Sequence, residues 1–437
     1  MQLGLTKTLA KTQRQSGVRA FTTGYTNQAL IDKDHKYCAQ NYKPLPVVLS
    51  KGQGLYVWDV EGKRYFDFLC GYSSNNQGHC HPKIIKEFVE QAQKITLPSR
   101  AFYNDQMGLT AEYLTKLLGY EKFLPMNTGV EACETAVKIA RRWGYVVKKI
   151  PQDKAEVVMA NGNFWGRSIT ASGACDDPSR YTNFGPFTPG FPLIPYNDIA
   201  AVKKVFESNP NICGIMFEPI QGEGGVIVPD ANYLKNVKEL CKKHNVLMML
   251  DEVQTGFGRT GKLMASDWEG VKPDIVSVGK ALSGGTMPVS GAFCDAHIMD
   301  NIKPGDHGST FGGNPLGMAV ARVAIQTLIE ERMVENALAM GDVFAEQLES
   351  IKSPLMKETR GRGLFRAIEV VSDAKVKGDD LAYILMKKGL LTKASHDYSL
   401  RLAPALIIKE KEIVEATNII KEGFQELEKL NKERSQL

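Results

Sequence analysis

The sequence predicts an α/β fold: a large domain with a mostly parallel sheet flanked by helices, plus a smaller α+β domain. Three observations carry this reading. Short unbroken apolar runs at Glu156–Ala160, Ile212–Phe217, 246–250 and Ile275–Val278 have the length of strands covered on both faces. Helical patterns lie between and around them, as in alternating β and α units. An alternating hairpin pattern near the N-terminus, and a mixture of helices with short strands after residue 332, fall outside that rhythm. At 437 residues the chain is long enough for two domains. We expect 22–75 and 331–437 to form the small domain and 76–330 the large one.

Composition narrows the function classes. Hydrophobic residues make up 43% and charged residues 24%, ordinary values for a globular protein. The net charge is +5, but residues 1–21 hold Lys7, Lys11, Arg14 and Arg19 and no acid. The rest is nearly balanced, which gives no reason to expect a nucleic-acid partner. No apolar run approaches the ~18 residues that would span a membrane, so no membrane partner is expected. The eight cysteines are scattered without a CxxC pair, which argues for reduced thiols in a cell interior. His79-Cys80-His81 suggests no metal site, because adjacent side chains diverge and no second ligand pair is evident.

Taken in order, 1–21 has the basic, acid-free character of a mitochondrial transit peptide, with Arg19-Ala20-Phe21 as its processing region. That implies a matrix protein; a cytoplasmic one is the alternative. From 22 to about 43 no regular element is expected. GLYVWDVEGKRYFDF then reads as a β-hairpin turning at Glu61-Gly62. A glycine- and asparagine-rich loop at 70–82 includes Tyr72, and Pro82 opens a helix. Another helix spans about 105–118.

MNTGVEACETAVKIARRWG places small residues before a strong helical pattern with Ala132, Ala136, Ile139 and Ala140 on one face. Such an N-terminus offers free N–H groups and a favourable dipole to an anion, although Thr-Gly also serves as plain capping. The strand Glu156–Ala160 leads into NGNFWGRS, where Phe164 either stacks on a flat ring or packs in the core. Residues 174–197 read as a long irregular connection. A helix at 199–207 precedes the strand Ile212–Phe217, which ends in EPIQGEGG with Glu218 and Glu223. QGEGG lacks the third glycine of a dinucleotide fingerprint. GFGRTGK at 256–262 has P-loop spacing but is followed by Leu263, so the magnesium-binding hydroxyl is missing. HGSTFGGNP at 307–315 precedes a helix of about 315–331, and Arg401 sits between apolar neighbours in LRLAP.

The chemistry centres on 250–285. Asp251 falls where one buried strand ends, and Lys280 closely follows another. Parallel sheets bind ligands outside the carboxyl ends of their strands, so both groups reach one edge. A lysine amine can condense with an aldehyde cofactor, and a carboxylate can keep the ring nitrogen of pyridoxal phosphate protonated. From spacing alone, a lysine that merely reaches solvent is an open alternative.

LDEVQTGFGRTG followed by DIVSVGKALSGG resembles the cofactor-lysine signature of the class III aminotransferases, which are fold-type I pyridoxal-phosphate enzymes. The likeness covers nearly the whole chain after roughly residue 35. It is strongest to the branch that moves the δ-amino group of ornithine to 2-oxoglutarate. The resemblance implies that Lys280 holds the cofactor and moves protons, and that Asp251 faces the ring nitrogen. It puts the backbone of Gly129 and Val130 on the phosphate, Phe164 and Val253 on opposite ring faces, and Gln254 on the ring hydroxyl. Ser309 and Thr310 would reach the phosphate of a neighbouring subunit's cofactor, which implies a homodimer or higher assembly. Tyr42, Tyr72 and Arg167 would bind substrate, and Arg401 the 2-oxo acid carboxylate. Glu223 would mask Arg401 during the ornithine half-reaction. The alternatives are a class III enzyme for acetylornithine or 4-aminobutyrate, and a non-catalytic binding protein on this fold. Intact Asp251, Lys280 and both phosphate stretches speak against the last.

Overall fold

The computed structural model describes residues 24–436. The basic segment 1–21, read above as a transit peptide, lies outside the described residues. The central sheet has seven strands in the order Lys122–Met126, Ser290–Cys294, Ile275–Val278, Leu247–Asp251, Ile212–Phe217, Glu156–Ala160, Leu193–Ile194. Ser290–Cys294 runs antiparallel to both of its neighbours, and every other pairing is parallel. The α/β expectation with a mostly parallel sheet holds. Ile212–Phe217, Leu247–Asp251 and Ile275–Val278 are buried at every position, which is why their sequences are unbroken apolar runs.

Two four-stranded sheets lie outside this one. The first joins Leu49–Gln53, Tyr56–Asp59 and Arg64–Asp67 to Leu390–Leu391, so it draws on both ends of the chain. The second has the order Met356–Arg362, Phe365–Val370, Ser399–Leu402, Lys393–Ser395 and carries Arg401. Pro315–Glu330 and Glu410–Ser435 each bury an apolar stripe, packed against other helices.

Two expectations need correction. Residues 22–43 contain a regular helix, Asn27–Tyr37. It buries no residue, so it shows no apolar periodicity to read. Its stability comes from capping and anchoring. The Thr26 hydroxyl accepts from Ala29 N at 3.2 Å, Asn27 N donates to Glu61 Oε1 at 2.9 Å, and Val48 N donates to Asn27 Oδ1 at 2.7 Å. The 174–197 connection is likewise not wholly irregular. It holds a single helical turn, Pro178–Tyr181, capped by Asp177, and the edge strand Leu193–Ile194.

One buried cation ties the sheets together behind the site. Arg259, fully enclosed, donates to Leu364 O at 3.1 Å, Pro404 O at 2.6 Å and Asn76 Oδ1 at 2.5 Å. Among the described residues it faces oxygens from three segments and no carboxylate at bonding distance, and burial draws its guanidinium down to about 10. The glycine-rich turn GFGRTGK thus wraps a structural arginine.

Candidate active site

The site forms at the carboxyl edge of the central sheet. Asp251 is the last residue of its strand, and Lys280 follows Ile275–Val278 after the extended Gly279. Lys280 takes φ = 42°, a left-handed backbone that costs a non-glycine residue roughly 1–2 kcal/mol. Gly129, Val130, Phe164, Asp251, Val253, Gln254 and Lys280 line one cavity of about 210 Å³. Seven residues drawn from four separate stretches of sequence thus meet in one place. A second cavity of about 320 Å³ shares Gly129 and Lys280 and opens past Asn127 and Thr128.

The phosphate-type seat is built by a capping box. Thr128 N donates to Glu131 Oε2 at 2.7 Å, and Glu131 N returns a bond to Thr128 Oγ1 at 3.4 Å. The helix Gly129–Val146 therefore starts at a fixed point, with its first N–H groups toward the cavity. A Cβ at Gly129 would lie 2.8 Å from Val253 Cγ1, so only glycine lets these two segments approach.

Asp251 is buried and, among the described residues, accepts two weak-to-ordinary bonds, from Val253 N at 2.9 Å and from Cys133 Sγ at 3.3 Å. Burial pushes its carboxyl up, opposed by the Val253 amide and then by Lys280. The Lys280 amine is drawn down by burial, with Glu223 and then Asp251 acting the other way. Glu218 sits in the same cavity and is pushed up by burial first and Asp251 second. It accepts from Gly222 N at 2.8 Å and Phe164 N at 3.2 Å, which pins both loops that flank the cavity.

Beyond the cavity lies an ion pair. Arg401 Nη2 is 2.8 Å from Glu223 Oε1, with Arg401 only 1% exposed and Glu223 24%. Arg401 also donates to Ser395 Oγ at 2.5 Å, while its Nε and Nη1 have no partner among the described residues. Its guanidinium lies 5.2 Å from the Tyr72 ring centre. Tyr72 has a left-handed backbone, φ = 57°, in the short turn Cys70–Ser73. Burial raises its hydroxyl, Glu223 adds to this, and Arg401 opposes. Tyr42 and Arg167 act on the same hydroxyl, so both stand near it, although Tyr42 is 69% exposed. The Arg167 guanidinium is 5.7 Å from the Phe164 ring centre.

Two predicted residues stand apart from this group. Ser309 accepts from Asn127 Nδ2 at 2.9 Å, Thr310 is exposed, and neither lines the cavity of its own chain.

Comparison with known proteins decides the family. The model of the aminotransferase class-III family matches residues 37–424. This chain belongs to the class III aminotransferases. A curated relative named as a mitochondrial ornithine aminotransferase, from Drosophila ananassae, is 51% identical over 94% of this chain and 95% of its own. A solved ornithine aminotransferase from Toxoplasma gondii superposes with TM-score 0.91 at 46% identity, covering 93% of this chain and 96% of that one. A solved acetylornithine aminotransferase from Elizabethkingia anophelis gives TM-score 0.84 at 46% identity, covering 92% and 100%.

The Toxoplasma structure is described with pyridoxal phosphate at partial occupancy in its active site. The residues of this aminotransferase fit that group. A buried carboxylate with only one amide and one thiol donor suits a protonated ring nitrogen. A capped helix start suits a phosphate, and Phe164 and Val253 bound a slot for a flat ring. An enclosed lysine with a lowered affinity for protons suits the aldehyde.

Several site residues were given no role by the sequence reading. Trp165 and Gly166 line the cavity together with Glu218, which was seen only as a strand-end acid, Cys133 donates to Asp251, and Arg180 stands over the Phe164 ring at 4.8 Å. Cys133 lies four residues past Gly129, one helical turn along the same face, and that spacing was a usable signal. Arg180 had none, since its approach depends on how the 174–197 connection folds.

Proposed function

We propose that this aminotransferase carries the δ-amino group of L-ornithine to 2-oxoglutarate, giving glutamate 5-semialdehyde and glutamate in two alternating half-reactions on pyridoxal phosphate. The observation that carries this is the Glu223–Arg401 pair at 2.8 Å beside the lysine. Bound pyridoxal phosphate supplies an electron sink for the carbon that bears the amine.

The chain's residues do the rest. Lys280 takes the proton from that carbon and returns it to the cofactor side, and its lowered proton affinity suits a base near neutral pH. With the cofactor bound, Asp251 would hold the ring nitrogen in its charged form and Gln254 would meet the ring hydroxyl. Phe164 and Val253 would hold the flat ring between them, and the first N–H groups of Gly129 and Val130 would hold the phosphate. Ornithine must react at its far amine, so its α-carboxylate must stay away from Arg401. Glu223 neutralises Arg401 in this half-reaction, while Arg167, Tyr42 and Tyr72 take the distal end. A planar guanidinium such as Arg167 meets a carboxylate through two parallel bonds. In the second half-reaction Glu223 withdraws and Arg401 takes the α-carboxylate of 2-oxoglutarate.

The visible spectrum tests this reading. Ornithine alone is expected to abolish a band near ~420 nm from the cofactor on Lys280, and 2-oxoglutarate to restore it. A band that ignores ornithine and responds to acetylornithine or 4-aminobutyrate would move the assignment to those substrates. No band after addition of pyridoxal phosphate would remove the enzymatic reading.

The same reading makes the enzyme a homodimer with shared sites, in which Ser309 and Thr310, which do not line the cofactor cavity of their own chain, reach the phosphate of the neighbouring subunit's cofactor. It also makes it a matrix protein, directed there by 1–21. The mass in solution and the import of a reporter fused to 1–21 check these two points; a monomer with full cofactor affinity, or a reporter left in the cytosol, would contradict them.

A further inference from the structure

We propose that Arg360 is a positioning residue for the Glu223–Arg401 pair, anchoring the backbone of the 222–226 turn so that only the Glu223 side chain moves between the two half-reactions. The proposal rests on the two-substrate reading above. That reading needs a carboxylate that leaves Arg401 and finds it again in every cycle.

The register of the sheet that carries Arg401 sets the arrangement. Arg360 pairs with Ala367 across one ladder, and Ala367 pairs with Arg401 across the next. Cross-strand partners point to the same face of a sheet, so the two arginines stand on one face with only a methyl side chain between them. The next row on that face is Glu358, Glu369 and Ser399. The 222–226 turn lies against these rows. Glu223 Oε1 meets Arg401 Nη2 at 2.8 Å, and two residues on, Gly225 O accepts from Arg360 Nε at 2.9 Å. A Cβ at Gly225 would lie 3.1 Å from Arg360 Nη2 and 3.0 Å from Ser399 Oγ, so glycine permits this seating.

The two arginines are loaded differently. Arg360 uses every nitrogen: Nη1 lies 2.6 Å from Glu369 Oε2 and 2.6 Å from Glu358 Oε1, and Nη2 donates to Ser399 Oγ at 2.8 Å. Ser399 in turn donates to Glu369 Oε2 at 3.0 Å. No free fork is left on Arg360 for Glu223 or for a substrate carboxylate. Arg401 has Nε and Nη1 without partners among the described residues, so the carboxylate exchange belongs to Arg401 alone.

Strand and turn depend on Arg360 unequally. Ser399–Leu402 is held by ladders on both sides, to Phe365–Val370 and to Lys393–Ser395. The turn has its own bonds, from Gly225 N and Val226 N to Gly222 O at 3.1 and 3.2 Å, and Glu218 holds its first residue through Gly222 N. Val226 sits in a small apolar cluster with Ile220, Phe365, Ala367 and Ala403, which keeps the turn docked without fixing its rotation. Among the described residues, Arg360 is the one side chain of that sheet that bonds to the backbone of 222–226. Losing it loosens the far end of the turn and leaves Arg401 in place. Glu223 then spreads over more positions and masks less.

The test uses the cofactor-loaded enzyme and reads both donor choice and binding. In Arg360→Met the rate constant for glutamate divided by that for ornithine is expected to rise roughly three- to tenfold. Arg360→Lys, which keeps one donor for Gly225 O, should recover part of this. Glutarate, a dicarboxylate that cannot react, gives a second readout. Its dissociation constant by calorimetry should fall by a similar factor in Arg360→Met, because Arg401 is less often masked. In a Glu223→Ala background Arg360→Met should move neither quantity, since no mask is left to position. Arg360→Gln takes its place if the methionine variant fails to fold. An unshifted ratio together with an unshifted glutarate constant would overturn the proposal. So would losses that are equal for both donors and persist without Glu223, which would make Arg360 a purely structural tie. A Glu223→Ala enzyme with the wild-type ratio would fail the masking reading itself, and a wild-type enzyme that ignores ornithine would fail the functional reading, each before any Arg360 variant is made.

Discussion

Lys280→Ala should slow both half-reactions by roughly 10⁴-fold, the upper range for losing a positioned acid–base group. The argument is one of supply. Within the cavity that Lys280 shares with Asp251 and Glu218, it is the one amine, and both neighbours are acids that burial pushes toward their protonated forms. Neither is placed to exchange a proton with the substrate carbon in its stead, because Asp251 is directed at Val253 N and Cys133, and Glu218 at Gly222 N and Phe164 N. Lys280→Arg should not restore the rate, since a guanidinium keeps its proton at every accessible pH. A small amine added to the Lys280→Ala protein should recover part of it. Single-turnover spectra with ornithine measure all three. A Lys280→Ala enzyme retaining more than about one per cent of the rate would assign the proton transfer elsewhere.

The parts of this site that could be read in the sequence are those set by local rules. A buried strand must end, so a charged residue directly after it marks the sheet edge; this located Asp251 and Lys280. Small residues before a strong helical pattern mark a helix start; this located the anion seat at Thr128 and Gly129, and the family resemblance put Gly129 and Val130 on the phosphate. What stayed hidden depends on long-range approach. Arg180 reaches Phe164 only because a single turn capped by Asp177 interrupts the 174–197 connection. Glu218 was visible at a strand end, but its raised carboxyl follows from burial first and then from Asp251 on the adjacent strand. Arg401 lies in a strand, where arginine usually reaches solvent; here the facing Glu223 turn and the Tyr72 ring enclose it. Helix Asn27–Tyr37 went unread for a different reason, since it buries nothing and so leaves no periodic trace.

Glu223→Ala should change which amine reacts. With the mask gone, Arg401 is a nearly inaccessible guanidinium whose Nε and Nη1 already lack partners, and an α-carboxylate is the group best fitted to fill the vacancy. A substrate bound that way presents its α-amine, not its δ-amine, to Lys280. Breaking a buried ion pair on one side leaves about 3–5 kcal/mol of uncompensated charge to be satisfied by whatever binds. Even half of that, recovered through the carboxylate, corresponds to a shift of about 10–100-fold in relative rate. The ratio of the rate constant for an α-amino donor such as glutamate to that for ornithine should therefore rise by that order. Both terms are expected to contribute, because ornithine also gains an unproductive orientation. Glu223→Gln gives an intermediate case: it keeps the shape and one acceptor oxygen but removes the charge, so its ratio should fall between the other two. The Arg401→Lys variant should show the reverse asymmetry, losing 2-oxoglutarate while ornithine is spared, since a point charge cannot replace the planar fork. Should Glu223→Ala keep the wild-type ratio, the pair at 2.8 Å is a structural tie between the 222–226 turn and the strand Ser399–Leu402, and selection of the amine must reside at the distal end, with Arg167, Tyr42 and Tyr72.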